Sequence, residues 1–244
     1  MLWFNTGLTN RVDIMIGVLK DCLSKMNKLL TPALVFFVAC ATPFVQAQET
    51  GDAKAGESKI ALCIGCHGIK GYQASFPEVY KVPMISGQSA SYIVSALTAY
   101  QKGDRKHPTM RSVASALTAK DMADIAAYYE AHGKDPAATL PEKATEPTGK
   151  VAELVAKGAC QSCHGANLSK PMVPGYPKIA GQYKDYLYIA LKSYKVENQA
   201  TWGRNNGVMG GIAKQYTLAE LKEIAAYVAQ QTGELKTVPQ SKFR

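Results

Sequence analysis

The pentapeptide Cys63-Ile64-Gly65-Cys66-His67 and its second occurrence, Cys160-Gln161-Ser162-Cys163-His164, constrain this chain more than any other feature. In the C-x-x-C-H pattern two thiols add to the vinyl groups of a porphyrin, and the adjacent imidazole reaches the iron from one side. Two copies predict two covalently bound haem c groups. Cys63 and Cys66 would hold one, Cys160 and Cys163 the other, with His67 and His164 as axial iron ligands. A zinc ribbon or a thioredoxin-like redox pair would also use C-x-x-C. A zinc ribbon, however, places its second pair within about 15–20 residues of the first. Here Cys63 and Cys160 stand 97 positions apart, and each pair brings its own histidine. His107 and His132 are read as ordinary surface or helix residues.

The first 47 of the 244 residues read differently from the rest. Lys25 and Lys28 precede an apolar run that ends at Val45-Gln46-Ala47, a small-residue cleavage site. Residues 1–47 are therefore a leader and signal peptide, cleaved near Ala47, with translation expected to start at Met26. The run is too short and too proline-broken to span a bilayer. Phe37-Val38-Ala39-Cys40 is a competing cleavage box that would leave a lipidated Cys40. Of six cysteines, Cys22 and Cys40 fall in the leader, so the remaining chain keeps only the four of the haem motifs and no structural disulfide is expected. Export to the periplasm fits this chemistry, because in bacteria c-type haem is attached outside the cytoplasm.

Self-comparison predicts one module, duplicated. Gly87-Gln88 and Tyr92 match Gly181-Gln182 and Tyr186 at an offset of 94, and Thr118 through Tyr128 matches Thr217 through Tyr227 at an offset of 99. Each module reads as helical: 53–63, 90–101 and 119–131 in the first, 151–160, 184–194 and 218–231 in the second, with Thr118 and Thr217 as N-cap candidates. No sustained β-branched alternation predicts a sheet. The expected organisation is domain 1 over 48–132, a proline-containing extended linker over 133–148, domain 2 over 149–235 and a tail over 236–244. A module of about 85–95 residues is small for a self-sufficient core. Each should depend on its haem to fold.

A sixth iron ligand should recur in both modules. Of the first module's methionines, Met84 aligns with Lys178 and Met122 with Leu221, whereas Met110 aligns with Met209. Both lie in polar, loop-like sequence eight residues before the Thr that opens the closing helix. Met110 and Met209 are therefore the expected axial thioethers, and His107 fails the same test because its counterpart is Asn206. Pro83 and Pro177, in a shared P-x-I-x-G, are placed to offer a carbonyl to the Nδ1 hydrogen of each ligating imidazole.

Residues 48–244 carry 24 basic and 17 acidic side chains, and the excess is lopsided: 13 against six in 149–244, nine against eight in 48–132. Nucleic acid does not explain this for an exported haem protein, whereas an acidic redox partner does. Lys184, Lys192, Lys195 and Arg204 are the expected docking residues. No catalytic constellation or small-molecule substrate site is evident, so the chain is read as a non-enzyme; peripheral membrane association is left open.

The two C-x-x-C-H motifs, the P-x-I-x-G loops, the distal methionines and the closing helices with Ala-Ala-Tyr resemble class I cytochrome c. Their tandem arrangement, with Gly-Gln…Tyr and Gly-x-Arg…Met in series, is similar to the dihaem cytochrome c4 family over nearly all of 50–232. The resemblance implies an all-α pair of tandem class I cytochrome c domains related by a pseudo-twofold, with haems near the interface. It further implies an exported carrier of electrons between respiratory-chain components, such as a quinol-oxidising complex and a terminal oxidase. The alternatives are a dihaem subunit of a periplasmic dehydrogenase, such as flavocytochrome c sulfide dehydrogenase, and, last, a dihaem peroxidase. Gly103-Asp104-Arg105 against Gly203-Arg204 is a departure between the modules.

Overall fold

The computed structural model describes residues 49–239. The Met26 start, the Cys40 box and the Ala47 cleavage site lie outside the described residues, as do positions 240–244 of the tail.

The first module begins with α1 (Ala53–Glu57) and α2 (Ala61–His67), where the sequence predicts one run. The break has a local cause. Ser58 Oγ donates back to the Ala55 carbonyl at 2.8 Å and Lys59 N bonds Gly56 O at 2.9 Å, so the helix tightens and stops. Ile60 then drops into the core, 4% exposed. In the second module the break falls later, between α6 (Gly149–Gly158) and α7 (Cys160–His164), at Ala159 in the left-handed conformation with φ 45°. The middle helices are α3 (Ala90–Lys102) and α8 (Lys184–Ser193). The closing helices are α5 (Ala119–Ala131) and α10 (Leu218–Ala229), close to the predicted spans.

Both N-cap candidates cap. Thr118 Oγ1 accepts from Asp121 N and Thr217 Oγ1 from Glu220 N, at 3.1 and 3.2 Å. Each acid returns the bond to its threonine's own N–H, completing a capping box. The closing helices are thereby fixed at the end nearest the methionines. Ahead of each lies a short helix where loop was predicted: α4 (Pro108–Ser115) and α9 (Gly207–Ala213).

Each module has its own core. Ile60, Ile64, Ile93, Leu97, Met122 and Ile125 lead the first; Leu154, Leu168, Leu187, Leu221 and Ile224 lead the second. α1 crosses α5 closely enough that a Cβ on Gly56 would stand 2.2 Å from the Asp124 carbonyl oxygen. The proline-containing segment between the modules is more than a spacer at its far end. Ala144 is a core residue of the second module, Ala144 N bonds Ala166 O at 2.9 Å, and Thr145 bonds both Gln231 and Tyr227.

Strands are few. β1 (Gln73–Ala74) pairs antiparallel with β2 (Tyr80–Lys81) inside the first module. β3 (Arg105–Lys106) pairs antiparallel with β4 (Gly203–Arg204) across the two modules, in the register Arg105 to Arg204. The Gly-Asp-Arg and Gly-Arg segments that differ between the modules are thus the ones that join them. Their cross-contacts are reciprocal: Gln88 binds the backbone of Lys178, and Gln182 that of Met84. Reciprocity of this kind is what a pseudo-twofold produces. The tail returns over the interface, where Lys236 N donates to Ser86 O at 3.0 Å.

Candidate functional site

α2 and α7 each present two cysteines and a histidine from one short helix, since positions i, i+3 and i+4 share a face. Cys63, Cys66 and His67, and Cys160, Cys163 and His164, all line one cavity of about 650 Å³ that continues through both modules. Burial pushes the Cys63 thiol up to about 11 and the Cys160 thiol up as well, so free thiols here stay protonated. Burial also lowers both imidazoles, against a smaller opposing effect of the proline carbonyls. The neutral ring that results is the form that binds metal.

The orientation of each ring is fixed from behind. His67 Nδ1 lies 2.8 Å from Pro83 O, and His164 Nδ1 lies 2.9 Å from Pro177 O. A carbonyl can only accept, so Nδ1 carries the hydrogen and Nε2 is left with its lone pair.

Met110 and Met209 line the same cavity from the first turns of α4 and α9. Their backbones are pinned by residues that the sequence did not single out as functional. His107 Nδ1 accepts from Met110 N at 3.4 Å, and Asn206 Oδ1 accepts from Met209 N at 2.9 Å. His107 is thus an N-cap, and the repeat pairing His107 with Asn206 was the available signal. The competing methionines separate by position. Met122 is 2% exposed in the first core and does not reach the cavity, whereas Met84 does line it, its backbone bonded into the module interface directly after Pro83. Met172, 71% exposed, does not reach the cavity.

Where the modules meet, Arg105 donates to Tyr92 Oη at 3.0 Å and Arg204 to Tyr186 Oη at 3.1 Å. Each guanidinium also lies over two rings, Tyr92 and Tyr100 or Tyr186 and Tyr194. Among the described residues neither arginine has a carboxylate partner, yet both face the cavity. Two adjacent, half-buried cations without an anion suit a ligand that brings its own carboxylates, as a porphyrin does. No group of three or more His, Cys, Asp or Glu among the described residues could hold a metal ion by itself.

The cytochrome c family model matches twice, at residues 53–131 and 149–232. Cytochrome c4 of Thiocapsa roseopersicina is 31% identical over 191 residues, covering 75% of this chain and 94% of that one. The thiosulfate dehydrogenase electron acceptor of Stutzerimonas stutzeri is 30% identical over 206 residues, 79% of this chain and 91% of its own. The crystal structure of reduced recombinant cytochrome c4 from Pseudomonas stutzeri superposes with a TM-score of 0.58 at 25% identity, covering 75% of this chain and all of that one. Two motif sets, two helical modules and these likenesses lead to one conclusion: the chain is a dihaem electron-transfer protein of the cytochrome c4 family, with two covalently bound haem c groups.

Proposed function

We propose that Cys63 and Cys66 hold the first haem and Cys160 and Cys163 the second, that His67 and Met110, and His164 and Met209, are the axial ligand pairs, and that the protein carries electrons in the periplasm between respiratory-chain components, delivering them to a terminal oxidase. The observation that carries this reading is the repetition of one arrangement: in each module a carbonyl-oriented imidazole and an N-cap-pinned methionine line one shared cavity. A haem held by these residues would supply one-electron chemistry, at a potential that a thioether ligand raises. The chain's own residues orient the ligands and exclude water with the apolar side chains of both cores, and Arg105 and Arg204, which line the cavity, would be available to the carboxylates of a bound haem. With Met110 and Met209 as sixth ligands no iron would be open to a substrate, so the peroxidase reading ranks last.

A second reading has support of its own. One relative, 30% identical, is named as the electron acceptor of a thiosulfate dehydrogenase, so this chain could take electrons from a periplasmic dehydrogenase. The two readings share the haem chemistry and differ in the donor. Stopped-flow reduction of the oxidised protein by quinol-oxidising membranes and by thiosulfate dehydrogenase separates them, with rapid reduction by the membranes and turnover through an oxidase expected. Reduction by the dehydrogenase alone would reverse the order.

A further inference from the structure

We propose that Gln88 and Gln182 are positioning residues that tie the ligating histidine of each module to the opposite module, so that each haem's potential is set partly by a side chain of the other domain. The inference rests on the reading above that His67 and His164 are iron ligands.

The peptide unit joining Pro83 to Met84 does two things. Its carbonyl accepts from His67 Nδ1 at 2.8 Å, and its N–H donates to Oε1 of Gln182, in the other module, at 3.1 Å. Gln182 Nε2 donates onward to the Met84 carbonyl at 2.9 Å. The mirror arrangement is present in full. The Pro177 carbonyl accepts from His164 Nδ1 at 2.9 Å, the Lys178 N–H of the same peptide donates to Gln88 Oε1 at 3.0 Å, and Gln88 Nε2 donates to Lys178 O at 3.0 Å.

The geometry fixes which way each amide points. Each Oε1 also accepts the N–H of the next residue, Ser89 or Tyr183, at 3.0 Å. An atom that meets two N–H groups must be the oxygen. Both glutamines are 4% exposed, so water does not compete for these bonds.

A peptide whose N–H is accepted by another group becomes a better acceptor at its carbonyl, and bonds in such chains strengthen one another by roughly 10–30% each. A stronger acceptor at Pro83 O gives His67 more imidazolate character and makes it a more basic ligand. That favours ferric iron and lowers the potential. Removing Gln182 therefore raises the potential of the haem in the first module, although the altered residue belongs to the second. Interface packing alone would instead disturb both modules, or the altered one.

The test is a spectroelectrochemical titration of the haem-loaded protein. A Met209→His background displaces the second-module step to lower potential and leaves the first-module step to be read by itself. In that background Gln182→Met is expected to raise the first-module step by about a two- to tenfold change in the oxidised-to-reduced ratio, the upper value being about 59 mV for one electron. Gln88→Met is expected to leave that step in place. Gln182→Glu keeps an oxygen acceptor whether or not it is ionised, and is expected to hold the step at or below its unaltered value. If Gln182→Met does not fold, Gln182→Asn, one methylene short of its partners, is expected to act in the same direction. In the fully reduced protein Gln182→Met should move the His67 Nδ1–H proton resonance upfield and leave that of His164 unmoved. A first-module step indifferent to Gln182→Met and Gln182→Asn, or one that follows Gln88→Met instead, overturns the relay. A Met209→His change that displaces no step overturns the ligand assignment instead.

Discussion

Three methionines of the first module have the same chemistry and three different jobs. Met122 fills the core, while Met84 and Met110 both line the cavity, Met84 with its backbone held in the module interface and Met110 from the N-capped first turn of α4. Truncating Met110 or Met209 to Ala should each remove about half of the weak long-wavelength absorption that an iron–thioether bond gives the oxidised protein. Met122→Ala should leave that band intact and lower unfolding stability by about 2–5 kcal/mol, the usual cost of deleting a buried side chain of this size. Visible spectra and denaturant unfolding of the three variants check both expectations. Loss of the band in Met84→Ala would reverse the assignment. What singles out Met110 as the proposed ligand is recurrence: it has a methionine counterpart while Met84 and Met122 do not. Gln88 and Gln182 recur equally well, but nothing in a linear sequence says that their partners sit in the other module.

At the scale of elements, helix spans were legible where periodicity was long and the cap was a threonine, as in α5 and α10. The short α4 and α9 were not, because seven or eight residues with Pro108 or three glycines carry little periodic signal, and a His or Asn cap reads equally well as a turn. The contact of α1 with α5 is held electrostatically as well as by shape. Asp124, 1% exposed, accepts from Lys59 and Lys120 and from Asp52 N, and these bonds hold its carboxyl well below the usual range. The Lys59 bond, together with Thr118, holds Asp121 down to about 2. A depressed carboxylate contributes stability above its unfolded value, near 3.9, that is lost as pH falls through the folded one. Amide exchange across 51–59 should therefore accelerate as pH drops from about 4 towards 2, once corrected for intrinsic rates. Asp124→Asn should flatten that dependence and make exchange fast at neutral pH. A segment equally protected at both pH values would show that shape alone holds α1. Gly56→Ala, which puts a Cβ against the Asp124 carbonyl, should also release it.

At the scale of the whole molecule, the interface revises where the charge excess acts. Arg204 is committed to Tyr186 and Tyr194, Lys192 to Glu78 of the first module, and Lys195 to the carbonyls of Ala213 and Tyr216. Of the four expected docking residues only Lys184 stands exposed without a bonded partner among the described residues. Counting charges along a chain cannot distinguish a lysine that meets a partner from one that closes a module. Lys192→Glu, which sets two carboxylates against each other where Lys192 now meets Glu78, should therefore loosen the two modules, read as a larger radius of gyration by small-angle scattering. Lys184→Glu should leave the radius unchanged and slow encounter with an acidic acceptor, an effect that salt suppresses over a Debye length of about 8 Å. Equal behaviour of the two variants would contradict the division.

The same scale holds the dependence on haem. Each module closes a modest core around a cavity shared with its neighbour, and the covalent groups provide apolar bulk that the side chains do not. The most direct measurement is the intact mass and thiol count of the haem-loaded chain. A gain of two haem masses with no reactive thiol is expected, because Cys63, Cys66, Cys160 and Cys163 are each assigned a thioether bond. A gain of one haem mass, or any reactive thiol among the four, would contradict two equivalent haem modules in one chain.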